Sequence, residues 1–133
     1  MHLFSENVKV TYEYGGGTLN NGATTAVYQP MTNYDKVCFI VYTGTLTGAA
    51  SLSIQGWQRV GSGGAEAVLG SPTVTTLDDT ITLVEFSAAD MTVSSGYDRI
   101  GLVITETGTA NAVIHSVVAC RYRARYGQAS LPA

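Results

Sequence analysis

The chain has 133 residues, which is the length of a single domain that can bury one ordinary hydrophobic core. Charged residues make up 13% of the chain and apolar residues 45%, a composition too apolar and too weakly charged for intrinsic disorder. The formal net charge is −3, and no apolar run approaches the length of a membrane-spanning helix, so neither a nucleic acid nor a membrane is a predicted partner.

The composition favours strands and turns over helices, because 17 Thr, 14 Val and 6 Ile accompany 15 Gly. In the first half of the chain, alternating patterns predict strands over 8–14, 23–28, 34–44 and 51–60. In the first of them, apolar residues alternate with Lys9, Thr11 and Glu13. This alternation is typical of a strand with one solvent-facing side.

The predicted strand over 34–44 is apolar on both sides. One side carries Val37, Phe39 and Val41, and the other carries Cys38, Ile40 and Tyr42. We therefore expect a central strand, or a strand that a partner chain covers, and the second set of three residues is our candidate for a subunit interface.

In the second half, further strands are predicted over 65–69, 73–77, 81–86, 99–106 and 113–123. The sequence from Ser87 to Asp90 fits the S-x-x-D pattern of a helix start, which predicts one short helical turn over 87–91. In the last strand, strict alternation predicts one side with Ile114, Val118, Cys120 and Tyr122, and the opposite side with His115, Val117, Ala119, Arg121 and Arg123.

These eight or nine short strands lack the rhythm of parallel β-α-β units, so the predicted fold class is all-β. The architectures that remain are a single antiparallel β-sandwich, a jelly roll or a small barrel. We predict one domain over 1–133, with a flexible N-terminal arm at about 1–6 and a flexible C-terminal tail at about 127–133.

The sequence offers few residues for catalysis. Its two histidines are His2, near the N-terminus, and His115, in the middle of a predicted strand, and no serine stands in a nucleophile elbow. An enzyme would need carboxylates that folding brings together, and nothing in their spacing indicates that it does. We predict a protein without catalytic residues, cofactor or metal site.

Cys38 and Cys120 both lie in apolar predicted strands, and we expect both to be reduced and buried. A disulfide between them requires that their strands be neighbours. The N-terminal sequence MHLFSENVKV has no charged and apolar regions of a secretory signal, which predicts synthesis and folding in a cytoplasm.

One concentrated charge feature is present, formed by Arg121, Arg123 and Arg125. In an extended chain these residues share one side, which makes a basic stripe on an acidic protein. The stripe is a solvated strand end, a contact with an acidic partner protein or, in third place, a contact with nucleic acid. The N-terminal residues His2, Leu3 and Phe4 are further candidates for partner contacts, because terminal arms often order only on binding.

Aromatic residues leave an alternative function open. Eight Tyr and one Trp could build a platform on which sugars stack, as in a carbohydrate- or receptor-binding module. The same residues could fill strand faces or subunit interfaces instead, and Trp57 is predicted to lie in the core or in an interface.

A family resemblance extends from Tyr34 to Tyr126. It rests on the order of five segments. The first is an apolar strand followed by a turn and a polar strand, and the second is a Thr-rich stretch. A helical turn, the beginning of a further strand and a last strand that ends in Arg-Tyr pairs follow in that order. These segments read YDKVCFIVYTGTLTGAASLSIQGW, SPTVTTLDDTITLVEF, SAADM, SGYDRIGLVIT and VVACRYRARY. In the order and composition of these segments the chain resembles small virion proteins of tailed bacteriophages.

The resemblance implies a structural role without enzymatic activity. The expected protein is a β-sandwich or jelly-roll decoration (cement) protein that binds the outside of the phage head, with the major capsid protein as its partner. The resemblance further implies a homotrimer located in the virion, and we expect its synthesis in the cytoplasm of the bacterial host. The alternative is then a carbohydrate- or receptor-binding module of a phage tail or fibre.

Overall fold

Antiparallel strands in two sheets make up most of this computed structural model, which describes residues 8–20, 22–70, 73–75, 78–108 and 110–124. The first sheet contains β1 (Val8–Tyr14), β2 (Gly17–Asn20), β4 (Tyr34–Leu46), β8 (Ile81–Ser87) and β10 (Asn111–Ala124). The second contains β3 (Thr24–Pro30), β5 (Leu52–Arg59), β6 (Glu66–Val68), β7 (Thr73–Thr75) and β9 (Arg99–Glu106). The predicted all-β class is confirmed, and the two sheets pack as a sandwich.

Strand order places the longest strands at the centre of the first sheet. Its order is β1-β10-β4-β8, and β2 continues beside β10 after β1 ends. The second sheet has the order β3-β9-β5-β6, with β7 also paired to β5. Among the described strands, β5 and β6 are the only two that both follow each other along the chain and hydrogen-bond to each other. Most other connections cross from one sheet to the other, as is usual in sandwiches.

The core lies between the sheets and is apolar. Every second residue of the central strands is at most 1% exposed: Val37, Phe39 and Val41 in β4, Leu52 and Ile54 in β5, Ile100, Leu102 and Ile104 in β9, and Val117 and Ala119 in β10. Phe86 of β8 reaches across to Gly56 of β5, where an added Cβ would overlap its ring. The period of two in the sequence is thus the spacing of the buried residues within these strands.

Strand β2 was not predicted, because three glycines stand at positions 15–17. Gly16 has φ +98°, a conformation that side chains rarely adopt, and an added Cβ would lie 2.8 Å from the carbonyl oxygen of His115. The edge strand therefore breaks at Gly16 and then resumes pairing with β10 as β2.

The alternation predicted for the last strand is wrong at its beginning. The register of β10 against β4 shifts on both sides of Ile114, as in a β-bulge. Ile114 therefore faces the core with Val117 and Ala119, whereas His115 is exposed. Beyond the bulge, the predicted pairing of Val118 with Cys120 on one side is confirmed.

The predicted helical turn is confirmed as a 3₁₀ helix over Ala88–Asp90. The Ser87 Oγ accepts the Ala89 backbone N–H at 3.4 Å, and Asp90 Oδ2 accepts the Ser87 backbone N–H at 3.0 Å. A second 3₁₀ helix, Val93–Ser95, follows it and was not predicted. The predicted terminal arm (1–6) and tail (127–133) lie outside the described residues.

Candidate functional site: the outer side of the first sheet

The side of the first sheet that faces away from the core is unusually apolar. Its strands lie in register, so that outward side chains form rows across β1, β10, β4 and β8. One row is Tyr12, Val118, Ile40 and Leu83, and the next begins with Val10, Cys120 and Cys38. We call this surface the outer apolar face, and its members are Val10, Tyr12, Cys38, Ile40, Tyr42, Ile81, Leu83, Val118 and Cys120.

Most of the exposed large hydrophobic side chains in the described part of the chain lie on this face. Seven such side chains are exposed in that part, and five of them belong to the face: Val10 (51% exposed), Tyr12 (65%), Tyr42 (37%), Ile81 (63%) and Leu83 (66%). Single exposed hydrophobic residues are ordinary, but a contiguous apolar patch usually marks an interaction site. The outer apolar face is therefore the candidate functional site.

The two edge strands of the sheet present their apolar sides to solvent. In β1 the outward positions are Val8, Val10 and Tyr12, so the solvent-facing side predicted for this strand is the apolar one. In β8, Ile81 and Leu83 share a side as predicted, and that side is also outward. The signal was present in the sequence, but alternation does not tell which side of a strand faces the core.

The predicted interface residues Cys38, Ile40 and Tyr42 all lie on the outer apolar face. Their neighbours Val37, Phe39 and Val41 are fully buried. The predicted strand that is apolar on both sides is thus a central strand, with one side in the core and the other side on the outer apolar face. Their role in a subunit interface stays a prediction.

Charge is scarce on the outward side of the four strands. Within their described residues, the charged outward positions in regular register are Lys36 of β4 and Glu85 of β8, and the exposed Arg123 of β10 borders the same depression as Lys36. The Tyr122 hydroxyl donates a hydrogen bond to Glu85. The charged groups therefore lie at one end of the face, and the remaining outward positions of the four strands carry no charge.

Cys38 and Cys120 are register partners on neighbouring strands, β4 and β10. Both are free thiols and both are partly exposed on the outer apolar face, so the prediction that they are buried is wrong for the single chain. Burial raises the pKa of both thiols, and the nearby Glu85 carboxylate raises that of Cys38 further. A raised pKa lowers the fraction of thiolate, the nucleophilic form, and so slows the reaction of a thiol.

The predicted basic stripe is wrong at Arg121, which is 2% exposed and lies between the sheets. Its Nη1 donates to the Pro30 carbonyl oxygen at 3.0 Å, and its guanidinium carbon lies 4.7 Å from the centre of the Tyr34 ring. Burial lowers the pKa of Arg121, while Tyr34 and Glu13 oppose that shift. Arg121 faces the core because it continues the inward side of Val117 and Ala119.

Arg123 is exposed, as predicted, although it does not share a side with Arg121. Its φ of 54° is uncommon for a residue other than glycine, and the regular alternation of β10 ends there. Arg123 borders a small polar depression together with Lys36 and Asp35. The other predicted contact residues, His2, Leu3, Phe4 and Arg125, lie outside the described residues.

The ionisable groups described do not assemble into a recognisable catalytic or metal site. His115 Nε2 lies 4.0 Å from Asp79 Oδ1, and its ring centre lies 4.7 Å from that of Tyr42, but both partners are exposed. Throughout the described ranges, no group of three or more His, Cys, Asp or Glu residues could hold a metal ion.

The burial of one carboxylate was not predicted from the sequence. Glu106 is fully buried at the end of β9 and accepts the backbone N–H groups of Gly22 at 2.9 Å and Gly108 at 2.5 Å. It continues the inward side of β9, since Leu102 and Ile104, four and two positions earlier, are also buried. Its contacts tie two loops together, which is a structural role.

The outer side of the second sheet carries the aromatic residues that the sugar-binding alternative needs. Trp57 is partly exposed, and its Nε1–H donates to Gln55 Oε1 at 3.2 Å. The Tyr28 ring lies beside Gly101, and the Arg59 guanidinium carbon lies 4.1 Å from the centre of that ring. Burial, and secondarily Glu66, raise the pKa of Tyr28 to about 12. Arg59 therefore occupies a ring face on which a sugar would stack.

No helix in the described ranges is long and apolar enough to cross a membrane.

Comparisons with known proteins find similarity in fold. No protein-family model matches the sequence, and no curated protein matches it. A chain of the T13 particle of infectious bursal disease virus superimposes with a TM-score of 0.50 and 12% identity over 89% of this chain and 32% of that chain. A chain of the Gt strain of the same virus gives a TM-score of 0.51 and 11% identity over 89% of this chain and 32% of that chain. A chain of the Gx strain gives a TM-score of 0.50 and 13% identity over 92% of this chain and 35% of that chain.

At these identities the similarity concerns the fold, and the chain spans about a third of the length of the viral chains it matches. This antiparallel sandwich is thus similar in fold to part of a chain from an icosahedral virus particle.

Proposed function

We propose that this protein is a non-enzymatic structural component of a virus particle. The observation that carries the proposal is the outer apolar face, because a patch of this kind on a weakly charged domain suits a protein that works within an assembly. The fold shared with chains of infectious bursal disease virus particles supports it. Its location is then the virion.

We further propose, from the resemblance over Tyr34 to Tyr126, a decoration (cement) protein of a tailed phage. It binds the outside of the head through the major capsid protein, acts as a homotrimer and is made in the cytoplasm of the bacterial host. A trimer that engages several copies of one weak site gains affinity through effective concentration. Candidate capsid contacts are the exposed Arg123 together with Arg125 and the N-terminal residues His2, Leu3 and Phe4.

The test is co-sedimentation of the purified protein with phage capsids that lack it. The proposal expects saturable binding to the capsids and no retention on immobilised polysaccharide. Arg123→Ser should weaken binding more at low salt than at high salt, since exposed charges are screened by ions.

Failure to bind capsids, combined with retention on polysaccharide, would replace decoration with the carbohydrate- or receptor-binding alternative. Failure to bind either would contradict both functions. A version with Arg121 replaced is unsuitable for this test, because Arg121 is part of the core.

A further inference from the structure

We infer that the outer apolar face is the surface through which copies of this chain contact one another. The inference deepens the proposed function and rests on the homo-oligomer that it includes. Its occupant is a second copy of the chain, and three properties of the face support that choice: its size, its charge and its position beside a free strand edge.

The size of the face matches what a specific contact between copies needs. Four strands at a spacing of about 4.8 Å, over about six residues with a rise of about 3.3 Å each, cover about 400 Å² in projection. Projecting side chains such as Tyr12 and Tyr42 raise the accessible area further. Small specific interfaces bury about 500–600 Å² on each partner, so the face reaches the lower range of such interfaces.

The charge of the face suits a copy of itself better than a strongly charged partner. Lys36, Glu85 and Arg123 are the charged residues beside it within the described strands, and all three lie at one end of the face. An acidic or basic partner would therefore gain little over most of the face, whereas the apolar faces of adjacent copies in a closed ring both lose water on contact. Each copy also supplies its face at equal stoichiometry, which a closed homo-oligomer requires.

The face continues to an unprotected strand edge. Among the described strands, β8 pairs with β4 alone, so its other edge is open. Its seven residues include no proline, and Glu85 is its one charged residue. Soluble proteins usually protect such an edge with charges, proline or a covering element. Because Ile81 and Leu83 lie on β8, a neighbouring copy can cover the face and shield this edge together.

The two cysteines provide a direct reporter of whether the face is covered. The chain has two cysteines, Cys38 and Cys120, and both lie on the two central strands of the face. A copy packed there would shield both thiols from an alkylating reagent. In the dissociated chain they would react slowly but completely, because their raised pKa slows the reaction without blocking access.

The experiment compares two double variants of matched exposure. Val10→Gln with Leu83→Gln changes residues of the face that are 51% and 66% exposed, and the control, Val68→Gln with Val93→Gln, changes residues elsewhere that are 51% and 65% exposed. Glutamine is neutral, so neither variant alters thiol pKa through a new charge. All four positions are solvent-facing, so the fold should tolerate both changes.

Sedimentation velocity and maleimide labelling are measured over a range of concentrations for the wild-type protein and both variants. We expect the wild-type protein and the control to form an assembly whose mass is a multiple of 14.0 kDa, with thiols protected in it. We expect the face variant to associate about 100-fold more weakly, because two amides would be buried without partners. Its thiols should label about tenfold faster at equal concentration, following the larger population of free chains.

The outcomes separate the inference from the proposed function. A monomer at all concentrations overturns the inference, and so does an assembly whose thiols label as fast as those of the face variant; in the second case the homo-oligomer stands and uses another surface. An assembly that forms as expected while the protein ignores capsids supports the inference and contradicts decoration.

Discussion

Replacement of the buried Arg121 by Met tests whether its charge stabilises the sandwich. Methionine has a similar length and fills the same space between the sheets, but it carries no charge and donates no hydrogen bond. The variant therefore removes the hydrogen bond to the Pro30 carbonyl and the cation–π contact with the Tyr34 ring while it preserves packing. It also removes the positive charge that faces Glu13.

The expected loss of unfolding free energy is about 2–3 kcal/mol at neutral pH. A hydrogen bond from a charged donor contributes about 1.5–3 kcal/mol, and a desolvated cation–π contact about 1–2 kcal/mol. Part of this sum is recovered, because the variant no longer pays the desolvation of a buried guanidinium. A loss of this size is a large fraction of the about 5–15 kcal/mol typical of a small domain.

The loss should depend on pH because of Glu13. Burial raises the pKa of Glu13 above its usual value of 4.5, and Arg121 opposes this shift. The folded protein therefore binds this proton more tightly than the unfolded chain, so the ionisation of Glu13 lowers stability as pH rises from 4.5 through the folded-state pKa. Without Arg121 the folded-state pKa of Glu13 is higher still. The variant therefore loses more unfolding free energy as Glu13 ionises, and it does so over a wider range of pH.

Urea unfolding of both proteins between about pH 4 and pH 7 measures this difference. The destabilisation by Arg121→Met should be smallest at the acid end and grow toward neutral pH, and the added change Glu13→Gln should remove that growth. Arg123→Met is the matched control on the same strand, and because Arg123 is exposed it should change stability little. A loss that is constant with pH, or equal in the two Arg variants, would refute the reasoning.

Three further substitutions test other parts of the fold by urea unfolding. Glu106→Gln should lower the unfolding free energy by about 2–3 kcal/mol, because an amide offers one oxygen where the carboxylate accepts two backbone N–H groups; no loss would contradict this role. Gly56→Ala should cost about 1–3 kcal/mol or more, since its Cβ would overlap the Phe86 ring, whereas Gly63→Ala, with open space around it, should be near neutral. Ser87→Ala should cost about 1 kcal/mol through loss of the helix cap, and an unchanged midpoint would show that the cap contributes nothing.

The sequence alone determined most of the secondary structure and the fold class. Alternation with a period of two, punctuated by turn residues, located most strands, and it did so because side chains of a strand point to opposite sides in turn. The helical turn after Ser87 was equally predictable, since its capping box is a contact between residues three positions apart. These features depend on neighbours in the chain.

The tertiary structure decided which side of each strand faces the core. Alternation divides β1 and β8 into two sides, but only the position of the second sheet makes their apolar sides outward. A bulge at Ile114 changes the side of every residue before it, and nothing local in the sequence marks that extra residue.

The candidate site depends on the same long-range choice. Cys38 and Cys120 become neighbours because β4 pairs with β10, and Arg121 becomes a core residue because it lies in register with the buried Val37. Both results require pairing between strands about eighty residues apart in sequence, and such pairing is set by the packing of the whole domain rather than by local preference. The sequence determined that this protein has apolar strand sides to bury, and the tertiary structure decided that one set remains on the surface.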